Sequence, residues 1–178
     1  MSWRSLAFVA AAAGVGALTG IAWWQLSVLP GYTVGADGGA STGQRGLAEF
    51  VSADAWFTVL GLVVGLGLGL LAWRAFRRAG WPVVPLAMLA ALGAALCCWA
   101  VGHQLGPGPF APRLGAAGPG EVVPVELTVR ARSALLVWPF AALVPILLAA
   151  SLGRDEEAAG SGTMGDSASG ESVEPPRA

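Results

Sequence analysis

Four long apolar runs, each edged by tryptophan, constrain this chain more than any other feature in it. Trp3 and the pair Trp23 and Trp24 flank the first run, Trp56 and Trp73 the second, Trp81 and Trp99 the third, and Trp138 opens the fourth. An indole joins an apolar body to one N–H donor, so it settles where hydrocarbon meets headgroup. Trp23, Trp24, Trp56, Trp73, Trp81, Trp99 and Trp138 are therefore expected as interface anchors. About 20 apolar residues at 1.5 Å each cross roughly 30 Å of hydrocarbon, and the runs at 6–24, 55–73, 82–101 and 134–152 all reach that length.

The predicted fold class is an all-α membrane protein, a bundle of four transmembrane helices with a small extracytoplasmic two-stranded β cap. Residues 1–152 form the membrane domain, with helices over about 5–26, 47–78, 82–104 and 132–152. The first run resembles a secretory signal in having Arg4 before it. It is too long for a signal core, though, and ends in a Trp pair instead of a small-x-small cleavage site, so it reads as a span.

Hydrophobic residues make up 55% of the chain and charged residues 12%, with a mean hydropathy of +0.65. A soluble domain carries roughly 25% charged residues, so a water-soluble fold is excluded by how little polar surface there is. All ten basic residues are arginine, a usage expected of a GC-rich genome. After Leu152 the segment 153–178 sets Arg154 and Arg177 against six acids and is nearly devoid of apolar residues. It cannot repay the entropy of ordering and is expected to be a disordered, acidic cytoplasmic tail. Nucleic acid is not expected as a partner, because phosphate binding needs a concentrated basic face.

Arginine in short loops sets orientation. Arg74, Arg77 and Arg78 crowd the tight turn between the second and third runs, with Arg4 and Arg154 on the same side and Arg45, Arg113, Arg130 and Arg132 on the other. This predicts both termini on the cytoplasmic side of a bacterial plasma membrane, and long outer loops at about 25–54 and 103–133. Within them Val123, Val125, Leu127 and Val129 alternate with Pro124, Glu126, Thr128 and Arg130, the period of a half-buried strand. Its expected mate is 32–34. Leu47, Phe50 and Val51 recur at helical spacing, so the second helix is expected to start near Gly46, while 35–43 and 106–120 read as Gly/Pro-rich loops.

Gly61, Gly65 and Gly69 stand four apart in the second run, and Ala12, Gly16 and Gly20 in the first, with Ala87, Ala91 and Ala95 in the third. Lipid offers no hydrophobic incentive for helices to associate, so close backbone approach must supply it. Gly16, Gly20, Gly61, Gly65 and Gly69 are the expected helix-packing residues, inside one bundle in preference to an oligomer seam or a pore. At the outer boundary Glu49 and Asp54 face Arg130 and Arg132 as a candidate charge cluster, read mainly as a clasp between cap and bundle and secondarily as a site for an anionic envelope molecule.

No catalytic or metal site emerges, and no cofactor is expected. Cys97 and Cys98 with His103 are too few for a structural metal site. Adjacent cysteines also make a poor redox pair and have no relay pair, so they read as small buried residues. His103 reads as a solvated helix end, and no ionisable residue interrupts the apolar cores as a proton pathway would require. Pro139 and Pro145 in the fourth run are expected to bend it.

The segments Asp54-Ala-Trp-Phe with Leu60-Gly61, Ala72-Trp73, Gly80-Trp81-Pro82, Gly102-His-Gln-Leu-Gly106-Pro-Gly-Pro-Phe110 and Leu135-Leu-Val-Trp-Pro139 resemble an uncharacterised family of actinobacterial membrane proteins over about residues 5–152. The resemblance implies four spans and two extracytoplasmic loops, and it brings no activity. The expected function is that of a non-enzymatic plasma-membrane protein, an accessory or structural envelope component whose partners are the lipid bilayer and a membrane or envelope protein. The alternative is a subunit of a small homo-oligomeric transporter or channel. An enzyme acting through Cys97 and Cys98 comes third.

Overall fold

Alanine- and leucine-rich runs propagate as helix once nucleated, and the computed structural model places α-helices where the apolar runs lie, the fourth continuing through Pro139 and Pro145. It describes residues 2–37, 39–43, 49 and 51–166, with side chains to residue 152. Helix α1 spans Trp3–Leu26, its first turn capped by the Ser2 hydroxyl, which accepts the Ser5 N–H at 3.3 Å. Helix α2 spans Ser52–Phe76 and runs into a 3₁₀ turn over Arg77–Ala79. Gly80 then adopts φ +73°, a left-handed conformation that favours glycine, and lets the chain reverse. Helix α3, Val83–Leu105, starts behind Pro82, with Pro85 in its first turn, where a missing N–H leaves no bond unmade.

A short helix α4, Phe110–Ala116, precedes α5, Ala134–Asp166, which contains Pro139 and Pro145. Both α4 and the strand Ala40–Ser41 fall where the sequence reads as plain Gly/Pro-rich loop. The expected helix start near Gly46 lies outside the described residues. Beyond Leu152 the α5 backbone stays helical to Asp166, into the stretch for which the sequence predicts disorder. An established helix needs no new nucleus, and Arg154, Glu156, Glu157, Ala158 and Ala159 propagate it readily. Residues 167–178 lie outside the described chain.

Four of these helices are long and apolar enough to cross a membrane, and they alternate up and down. The most extensive contacts join α1 to α3 and α2 to α5, two parallel pairs, with α3 also touching α2 and α5. Small residues and aromatics fill the interior. Ala12, Ala72, Ala87, Ala91, Ala95 and Ala142 are buried, whereas Leu18, Leu62, Leu71, Leu89, Leu147 and Leu148 point outward. Leu68 and Leu127 are the only buried leucines among the described residues.

The cap is a three-stranded antiparallel sheet instead of the expected two-stranded one. Strands β1 (Gly31–Val34), β2 (Ala40–Ser41) and β3 (Val122–Pro124) lie in the order β2-β1-β3. The predicted pairing of 32–34 with the alternating segment is present, with Tyr32 opposite Val123 and Thr33 opposite Val122. The extra strand carries no apolar alternation. It forms because the Asp37 carboxylate accepts the Gly39 N–H at 3.1 Å and Gly35 donates to the Gly39 carbonyl at 2.7 Å, which closes a hairpin. The assigned strand ends at Pro124, with one further main-chain bond from the Val125 N–H to the Pro30 carbonyl at 2.9 Å, yet Val123, Val125 and Leu127 are all buried in alternation. The period of the sequence survives as packing where it does not survive as strand.

Candidate functional site

Backbone groups of loops beside apolar helices must find partners or leave a costly unmet bond. At the sheet end of the bundle this need is met chiefly by three side chains. The Asp54 carboxylate, half-buried in the first turn of α2, accepts the main-chain N–H of Arg130 through Oδ1 and of Ala131 through Oδ2, each at 3.0 Å. His103, at the end of α3, donates from Nδ1 to the Leu127 carbonyl at 2.9 Å, with its ring stacked 6.0 Å from that of Trp99. Arg113 donates to the Gly108 carbonyl at 3.0 Å and to the Pro124 carbonyl at 2.7 Å.

Asp54 does meet the segment leading into α5, where two successive main-chain N–H groups, those of Arg130 and Ala131, donate to its carboxylate. Among the described residues Glu49 and Arg132 make no ion pair. Arg132 borders a groove of about 320 Å3 between α3 and α5, beside Leu96, Trp99 and Leu135. Replacing Asp54 by alanine is expected to destabilise the protein by about 1.5–3 kcal/mol, the range for hydrogen bonds to a charged acceptor. In a cycle with Arg132→Ala the losses should be additive, as read by thermal unfolding in detergent; a coupling of about 1 kcal/mol or more would restore a side-chain clasp.

Beneath this layer lies an aromatic stack that the sequence does not announce. Phe57 is wedged between Trp23, with centroids 5.2 Å apart and planes at 71°, and Trp138, 5.5 Å away and tilted by 43°. All three are 0% exposed, as is Leu127 above them. Trp23 and Trp138 are therefore covered by protein and leave no indole surface for lipid; they are core residues joining α1, α2 and α5. The Trp23 indole donates to the Ala53 carbonyl at 2.7 Å, while the Trp138 N–H lies against Gly61 with no acceptor. Trp24, Trp56, Trp81 and Trp99 are exposed and Trp73 is half-buried, positions open to an interfacial role.

The predicted packing glycines all sit at helix contacts. A Cβ at Gly16 would strike the backbone of Ala94, one at Gly20 that of Cys98, one at Gly61 the Trp138 ring, and one at Gly69 the backbone of Ala142. At Gly65 it would lie 2.5 Å from the Trp138 carbonyl. Gly102, not singled out from the sequence, fills the same role beneath the Trp23 ring. Gly67 faces open space.

Cys98 is buried and Cys97 half-buried, both as free thiols. Neighbours on a helix diverge by about 100°, which keeps them from sharing one ligand. Among the described residues no group of three or more His, Cys, Asp or Glu side chains converges as metal ligands. No family model matches the chain, and neither a curated protein nor a solved structure does, a result consistent with kinship to an uncharacterised family.

Proposed function

We propose that the chain is a multi-pass protein of the bacterial plasma membrane, with both termini cytoplasmic and the sheet outside, and that it works without catalysis as an accessory or structural envelope component through a protein partner. The observation carrying this reading is the distribution of side chains in the bundle: alanine, glycine and the aromatics Trp23, Phe57 and Trp138 inside, most leucines and valines outside. In water that arrangement would leave a continuous apolar belt far larger than soluble monomers tolerate, whereas in lipid it is what close helix packing selects. The arginine-rich turn supports the assigned orientation. The sheet, with its loops tied down by Asp54, His103 and Arg113, offers a rigid surface for a partner.

A pathway along Gly61, Gly65 and Gly69 has no support, since α5 fills that face with Trp138, Ala141 and Ala142. Two measurements test the proposal. In a background with Cys97 and Cys98 replaced by serine, Gly43→Cys should react with an impermeant maleimide on intact cells and Gly162→Cys only after permeabilisation; the reverse pattern inverts the orientation. Crosslinking in native membranes should yield a heterologous protein at the sheet end, and recovery of self-adducts alone would remove the accessory role.

A further inference from the structure

The end of the bundle opposite the sheet carries Arg4 at the start of α1, Arg74 in the last turn of α2, and Arg77 and Arg78 in the 3₁₀ turn. Together they line a cleft of about 530 Å3. The acids whose side chains are described, Asp37, Glu49, Asp54, Glu121 and Glu126, all belong to the other end, so among the described side chains four exposed arginines gather here without a carboxylate. Through Phe76 and Ala79, which line both, the cleft continues into an apolar groove of about 290 Å3 between α1 and α3, walled by Pro82, Val83, Leu86 and Leu89, with Ser5 on its α1 side. The Arg4 guanidinium stands 5.8 Å above the Phe76 ring, at the junction of the two.

We propose that this cleft and groove bind one anionic phospholipid, its phosphate held by the arginines and one acyl chain laid along Phe76, Val83, Leu86 and Leu89. Guanidinium is the side chain best matched to phosphate, since its planar fork makes paired hydrogen bonds that an ammonium cannot. A cationic cleft alone would suit any small anion, and an apolar groove alone any lipid. Their continuity selects a molecule with a charged head joined to a hydrocarbon tail.

The inference rests on the membrane reading above, and its test separates the two. The full-length chain, purified in mild detergent, is titrated with phosphatidylglycerol, phosphatidylcholine or inorganic phosphate, and bound species are counted by native mass spectrometry. One phosphatidylglycerol should be retained at least about tenfold more tightly than phosphatidylcholine, whose phosphate is the same but whose choline ammonium brings a further positive charge among the arginines. Arg74→Gln with Arg77→Gln should abolish that preference, and Leu89→Trp, which fills the groove and leaves the arginines in place, should weaken retention of phosphatidylglycerol. Equal binding of the two lipids, an unchanged preference in the arginine variant, or competition by inorganic phosphate at lipid-like concentrations would overturn the proposal. So would binding that appears only when Asp155, Glu156 and Glu157 are changed to amides, because the chain's own carboxylates would then occupy the cleft. A chain that stays in solution without detergent would instead refute the membrane reading itself.

Discussion

Replacing Phe57 by alanine should cost about 3 kcal/mol and lower the unfolding temperature by on the order of 10 °C. Its ring is fully buried and touches Trp23 on α1 and Trp138 on α5, so one truncation opens a cavity shared by three helices. The figure sits at the low end for a buried aromatic because lipid tails are nearly as apolar as the core. Transfer out of water contributes little there, leaving the lost dispersion contacts and the cavity. Phe57→Leu keeps most of the volume and should lose less than half as much. Unfolding in detergent, followed by tryptophan fluorescence, reads both variants, and an alanine variant as stable as the parent would show that the stack is not a keystone of the bundle.

Gly69→Leu should be at least as damaging, and by the opposite mechanism. A side chain there runs into the main chain of Ala142, which has no rotamer with which to give way, so α2 and α5 must part along their length. Overpacking against side chains costs typically 1–3 kcal/mol; against backbone we expect about 3 kcal/mol or more, seen as loss of folded protein. Gly67→Leu is the control. Two residues away on the same helix it meets nothing within 4 Å, and leucine propagates helix better than glycine, so it should be neutral or slightly stabilising. Equal losses at both positions would mean that helix propensity or insertion, and not the contact with α5, governs this face.

These two variants also separate what a reader of the sequence can and cannot infer. The spacing of Gly61, Gly65 and Gly69 marks a close-packing face, and the structure puts helix there. Nothing in that spacing names the neighbour as α5 or distinguishes it from a second copy of the chain. Trp23 and Trp138 carry the same ambiguity: an indole is suited both to a membrane rim and to a core where its N–H finds a carbonyl, as Trp23 does on Ala53. Pattern at the ends of apolar runs favours the rim, and burial decides for the core. Asp54 is a subtler case. Its proximity to residues 130–132 follows from a charge match in the sequence, but its actual partners are amide groups, which every residue possesses and which leave no trace in composition.

What the sequence determines by itself is local: where the apolar runs begin and end, that a tight arginine-rich turn joins the second run to the third, and which alternate residues between Val123 and Leu127 face inward. Each of these depends on neighbours along the chain and on a fixed helical or extended period. Tertiary structure alone decides that α1 pairs with α3 and α2 with α5, that β2 joins the sheet, and that Phe57 lies between two tryptophans. Those contacts join residues tens of positions apart, and their energy comes from shape fitting at close range, which no single stretch of sequence encodes.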